Sequence, residues 1–184
     1  MKPPVSDIAF TSTVKAIQQR LGSRRSYERM ERDNGWQTKV SPDLSGFIAE
    51  RDTFFLGTAN ADGQPYIQHR GGPPGFLKVI DEETLAFADF RGNRQYLTMG
   101  NLEDNDKAFI FLIDFANRRR IKVWGRASVV EDDIELLALL SDPEYKAKPE
   151  RVILFHIDAW DVNCPQHIKR RYTVEEFSGL ASSA

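Results

Sequence analysis

Residues 53–70 read TFFLGTANADGQPYIQHR. Two stretches rich in aromatic and β-branched side chains flank NADG at 60–63, and Asp62-Gly63 is a strong local signal for a tight hairpin turn. Segments 53–58 and 64–70 are therefore expected to be antiparallel neighbours. Downstream, GGPPG at 71–75 interrupts the pattern. Segments 76–80 and 84–88 then form a second strand pair around a turn at 81–83. A helix is expected over 91–101, with Asn93 as its N-cap. Strands follow at 108–115 and 119–130, then helices at 132–141 and 143–148 and a long strand at 152–162. Upstream, Phe10, Val14, Ile17 and Leu21 recur at helical spacing. Ser41-Pro42 reads as an N-cap followed by proline in the first helical turn. The predicted organisation is a helical extension over 1–50, a barrel over 51–177 and a small, polar, disordered tail over 178–184.

This order of elements points to a mainly β fold with peripheral helices (α+β), built on an antiparallel barrel. No G-x-G-x-x-G follows a strand and no P-loop is present, which argues against a Rossmann or P-loop architecture. The chain has 184 residues, 41% of them hydrophobic, enough for one real core. Lys and Arg number 25 against 27 Asp and Glu, a net charge of −2. A nucleic-acid binder is usually clearly basic, so any anion site here is local. The single cysteine excludes an intrachain disulfide, and no apolar run approaches the ~20 residues of a membrane span. No metal site, no nucleic-acid partner, no membrane partner and a cytoplasmic setting are expected.

Four constellations could carry chemistry. Gln68, His69 and Arg70 precede glycines whose amides could join the guanidinium in holding a phosphate; a surface loop relieved by glycine is the plainer account. Asp89, Phe90, Arg91, Asn93, Arg94 and Gln95 stand between a strand and a helix, where free N–H groups and guanidiniums favour anions; solvated arginines beside a capped helix are the alternative. In RRRIKVWGR at 118–126, alternation puts Arg118, Arg120, Lys122 and Trp124 on one face, either a basic hairpin shoulder or a source of inward arginines. Finally, Cys164 and His167 flank Pro165 and Gln166. A buried structural cysteine is preferred there to a nucleophile, because no orienting group is evident.

Taken together, FLGTANADGQPYI (55–67), HRGGPPGFLKV (69–79), GNRQY (92–96), NLEDND (101–106) and RRIKVWGRA (119–127) resemble the pyridoxamine 5′-phosphate oxidase-like family of FMN-binding split β-barrels. The resemblance spans about residues 53 to 168. It implies a homodimer with FMN at the interface, in clefts lined by both subunits. Phe76 and Lys78 would run beside the flavin, and Asp89 would lie near its ring or ribityl chain. Arg94, with Asn93 beside it, would hold the phosphate. Gln95 replaces a lysine of the oxidase, and Arg70 is read as restoring the lost charge. Arg120 would reach the flavin from the central strands. The segment around Cys164 and Gln166 would cover it from the partner chain.

The expected function is that of an FMN-dependent oxidoreductase acting on an unidentified small molecule, with NAD(P)H a candidate donor. The alternatives are a flavin-binding sensor without turnover and a haem-handling split barrel. Pyridoxamine-phosphate oxidase activity itself is not expected. Lys169, Arg170 and Arg171 are basic, but their spacing does not match the oxidase's C-terminal substrate-binding signature.

Overall fold

The computed structural model describes residues 3–33, 35–163 and 165–181. Seven strands form its centre: β1 (Thr53–Ala59), β2 (Pro65–Gly71), β3 (Lys78–Val79), β4 (Thr84–Phe90), β5 (Lys107–Asp114), β6 (Arg119–Val130) and β7 (Pro149–Asn163). Every pairing is antiparallel, in the order β2-β1-β5-β6-β7-β4-β3. A 3-10 turn at Val5–Ile8 precedes α1 (Ser12–Arg20), α2 (Arg24–Asp33) and α3 (Pro42–Ala49). Helices α4 (Leu97–Asp104) and α5 (Ile134–Leu140) are inserted between strands, and α6 (Val174–Ala181) follows the last.

Period-two alternation makes the core. Ala108, Ile110 and Leu112 of β5 and Ile121 and Val123 of β6 point inward and are buried. The sheet curls so that Phe54 of β1 stacks on Phe76 (centroids 5.3 Å apart) and meets Phe87 of β4 edge-on (5.1 Å). It does not close. β2 and β4 are not paired; the Arg70–Asp89 ion pair joins them across the opening. The split barrel is thus the predicted fold.

The 60–63 turn forms as expected. Gly63 N–H donates to Asn60 O (2.9 Å), and Asn60 Oδ1 accepts from Gln64 N–H (2.9 Å). Ser41 caps α3, its Oγ accepting from Leu44 N–H at 3.1 Å. Two glycines are required by packing. At Gly125, where β6 bulges against β7, a Cβ would lie 2.0 Å from His156 O. At Gly75, with φ +73°, it would lie 2.9 Å from Ala49 O.

Several elements differ from expectation. Phe76 and Leu77 are both buried, which alternation forbids in a strand with one inward face, so the ladder begins only at Lys78. α4 begins at Leu97, because Arg94 and Tyr96 take left-handed conformations (φ 59° and 55°) that no helix accommodates. Segment 143–148 is a chain of turns, with Asp142 Oδ1 accepting from Glu144 N–H (2.9 Å) and Asp142 O from Tyr145 N–H (3.1 Å). α6 runs past Phe177 to Ala181, into the segment whose composition predicts disorder.

In α1 the buried residue is Gln18, while Ile17 and Leu21 are exposed. Gln18 accepts from Arg24 Nη1 (2.8 Å), and Arg24 also pairs with Glu31, so a polar network ties α1 to α2. The extension docks on the sheet through Leu44, Phe47 and Ile48 of α3, which are buried in the core, and through Trp36, which stacks on Trp124 of β6 at 4.4 Å and 15°. Trp160 Nε1 donates to Lys39 O (2.8 Å) beside it.

Candidate functional site

The opening between β2 and β4 holds the site. Tyr66, Gln68 and Arg70 share the inward face of β2, opposite Thr58, Leu56 and Phe54. They face the loop after β4, the first turn of α4 and the start of β7. The result is an open, shallow cleft. It brings together the predicted residues Gln68, Arg70, Asp89, Phe90, Asn93, Arg94 and Gln95. Gln68, Arg70 and Phe90 also border a neighbouring hollow with His69 and Phe76. Phe76 and Phe90 border a third with Lys78, on the far side toward α5.

Ion pairs order the cleft. Arg70 binds Asp89 through Nη1, and its Nη2 donates to Thr98 Oγ1 at 3.3 Å. Thr98 Oγ1 in turn donates to Gln68 Oε1 (2.7 Å). The second oxygen of Asp89 lies 3.3 Å from Arg151 Nη1; the two residues are cross-strand partners of β4 and β7. Arg151 also meets Glu150 (3.3 Å) and Met99 Sδ (2.8 Å). Glu150 lies 3.7 Å from Arg94 and 3.8 Å from Arg91. Four guanidiniums, Arg70, Arg91, Arg94 and Arg151, thus stand against three carboxylates, Asp89, Glu150 and Glu131 (3.6 Å from Arg151), a local excess of positive charge.

Two features invite an anion. Arg70 Nε is buried and has no hydrogen-bond partner among the described residues. α4 starts at the cleft with no side-chain cap on Tyr96, which leaves the first-turn N–H groups of Leu97, Thr98 and Met99 open there. Asn93 is not that cap. Its Oδ1 accepts from Gln95 N–H (3.3 Å), which shapes the turn before the helix. Nor do the 71–75 glycines offer amides: Gly72 N–H donates to Asp52 O (3.0 Å) and Gly75 N–H to Arg51 O (2.9 Å).

Other predicted residues lie elsewhere. The His69 ring points to the outer face, with Nε2 2.5 Å from Thr53 Oγ1. Arg120 lies on that same outer face with Lys122, away from the cleft within one chain. Gln166 is exposed in a turn after β7, and Cys164 falls outside the described residues. Sequence reasoning missed Arg151, Glu150 and Thr98. A helical amphipathic reading over 97–104 would have found Thr98. Arg151 and Glu150 needed the register of β7 against β4, which no local pattern carries.

The family described as pyridoxamine 5′-phosphate oxidase matches residues 40–164, and the chain belongs to it. The comparison with curated proteins gave no match. Among solved structures, HupZ of Group A Streptococcus aligns with TM-score 0.56 and 18% identity, over 72% of this chain and 99% of that one. An FMN-binding protein of Syntrophomonas wolfei subsp. wolfei aligns with TM-score 0.51 and 16% identity, over 83% and 98%. These likenesses concern the fold. No helix among the described residues is long and apolar enough to cross a membrane. No group of three or more His, Cys, Asp or Glu among them could hold a metal ion.

Proposed function

We propose that the chain binds FMN in the β2–β4 cleft and acts as an FMN-dependent oxidoreductase on a small molecule. The observation that carries this reading is the convergence of Arg70 and Arg151 beside the uncapped first turn of α4. Those groups, with Arg94, suit a phosphomonoester dianion. Family membership and the FMN-binding neighbour support it further.

Within this reading, Arg70 and Arg94 bind the phosphate, and Thr98 and Gln68 hold Arg70 in place. Phe76, Phe90 and Lys78 border the adjoining hollows that would take the ring and the substrate. Once bound, the flavin supplies the hydride or electron chemistry, so no protein nucleophile is needed.

The same reading calls for two chains. Arg120 and the cleft arginines occupy opposite faces of one sheet, so a single flavin that meets both spans a pair of protomers. The outer face suits such a pairing: Phe55, Phe111 and Ile113 are half-buried there and Ile67 is exposed.

FMN titration followed by flavin fluorescence tests the proposal. The wild-type protein is expected to bind FMN, and Arg70→Ala combined with Arg94→Ala to lose it, each charge-assisted contact being worth ~1.5–3 kcal/mol. Undiminished affinity in the double variant would show that the phosphate lies elsewhere. Rapid bleaching of the bound flavin by NADH or NADPH marks turnover; a flavin inert to both marks the non-catalytic sensor.

A further inference from the structure

Glu150 carries an inference that rests on the phosphate reading and concerns how the cleft selects its ligand. Charges alternate along the cleft, from Arg70 through Asp89, Arg151 and Glu150 to Arg94 and Arg91. The two carboxylates are not equivalent. Asp89 is buried, and both of its oxygens are committed, one to Arg70 and one to Arg151. Glu150 reaches the outer arginines only loosely. Its Oε1 lies 3.7 Å from Arg94 Nη2 and 3.8 Å from Arg91 Nε, beyond hydrogen-bond length, and both arginines are about half exposed. Arg151 has a further acidic neighbour on its other side, Glu131 at 3.6 Å, which is largely exposed.

Glu150 therefore sits on the cations that an incoming phosphate needs. A phosphoryl dianion offers more charge and more acceptor oxygens than one carboxylate, so it can take these arginines over. We propose that Glu150 is an internal stand-in for the phosphate: it gathers Arg91 and Arg94 in the free protein, yields them to a phosphomonoester dianion, and so sets the threshold for anion binding. The four guanidiniums outnumber the three carboxylates around them, Asp89, Glu150 and Glu131, which leaves the cluster positive for that dianion. Weaker anions do not repay the loss of Glu150.

This assigns Glu150 an opposing role, not a supporting one, and the sign of the effect tests it. In Glu150→Gln, FMN is expected to bind about fivefold tighter, the size of a partly exposed ion pair no longer competing. Inorganic phosphate should displace FMN from wild-type protein, and its own affinity should rise in the variant alongside that of FMN. Riboflavin, which lacks the phosphate, should bind both proteins equally. Glu150→Asp keeps the charge but withdraws it from Arg91 and Arg94, and should show a smaller gain of the same sign; it serves if the glutamine variant does not fold. Weaker or unchanged FMN binding in the folded variants, with wild-type binding intact, overturns the inference and makes Glu150 a scaffold for the arginines. Wild-type protein that binds neither FMN nor inorganic phosphate overturns the flavin reading and this inference together.

Discussion

Arg70 is held by Asp89 on one side and by Thr98 on the other, and the second of these contacts is the one a conservative change can remove. Thr98→Val deletes the hydroxyl that accepts from Arg70 and donates to Gln68, with little change in shape. FMN affinity should fall about fivefold to tenfold, the worth of one such hydrogen bond; isothermal titration of both proteins measures it. Asp114 offers a test of stability far from the cleft. Burial alone would push its carboxyl upward. The Asn117 side chain and backbone N–H (2.8 and 2.9 Å) and the Arg51 guanidinium (3.1 Å) outweigh burial and hold it below its ordinary value. A carboxyl lowered in the folded state stabilises above its unfolded pKa, near ~3.9, and loses that contribution as pH falls through the folded value. Asp114→Asn should therefore melt below wild type at neutral pH, with the gap narrowing under acid conditions below about pH 4. Melting curves across that range decide it; a gap of constant size would mean that the ionised carboxylate contributes nothing.

At the scale of elements, the extension and α4 are the instructive cases. Trp36 is buried between Phe10 and Trp124 and ties the segment before α3 to β6. Trp36→Ala should cost ~3 kcal/mol, as large aromatic truncations do, and urea unfolding would register it. The hairpin at 60–63, the cap at Ser41 and the alternating β5 and β6 were legible because each signal is local: a turn dipeptide, a capping pair, a period of two. α4 was misplaced because two non-glycine residues, Arg94 and Tyr96, adopt left-handed backbone that their sequence does not announce. In α1 the apolar spacing of Val14, Ile17 and Leu21 does not mark the buried face, because the Arg24–Glu31 network draws Gln18 inward.

For the whole molecule, curling brings strands distant in sequence to one opening, and this governed how much of the site could be read. Gln68, Arg70, Asp89, Phe90, Asn93, Arg94 and Gln95 do converge there, because two of the strands that carry them end at the split. Arg151 joins them through cross-strand pairing with Asp89, 62 residues away. Such long-range register leaves no trace in a local window. The outer face makes the remaining prediction. A row His69–Phe55–Phe111–Lys122–Asp161 crosses five strands, with Phe55 and Phe111 at its apolar centre. A charge placed there, as in Phe111→Glu, should shift the protein to monomer size in sedimentation if two copies pair on this face, and FMN retention should fall with it. A variant that stays at dimer size would place the subunit contact elsewhere.

The stacked indoles of Trp36 and Trp124, with the Lys122 ammonium 5.3 and 4.9 Å from their centroids, have an optical consequence. Two chromophores this close and nearly parallel couple their electronic transitions, and a neighbouring cation shifts the energy of both. The protein thus carries its own circular-dichroism reporter for the seating of the chain at Trp36 against β6, readable without any label.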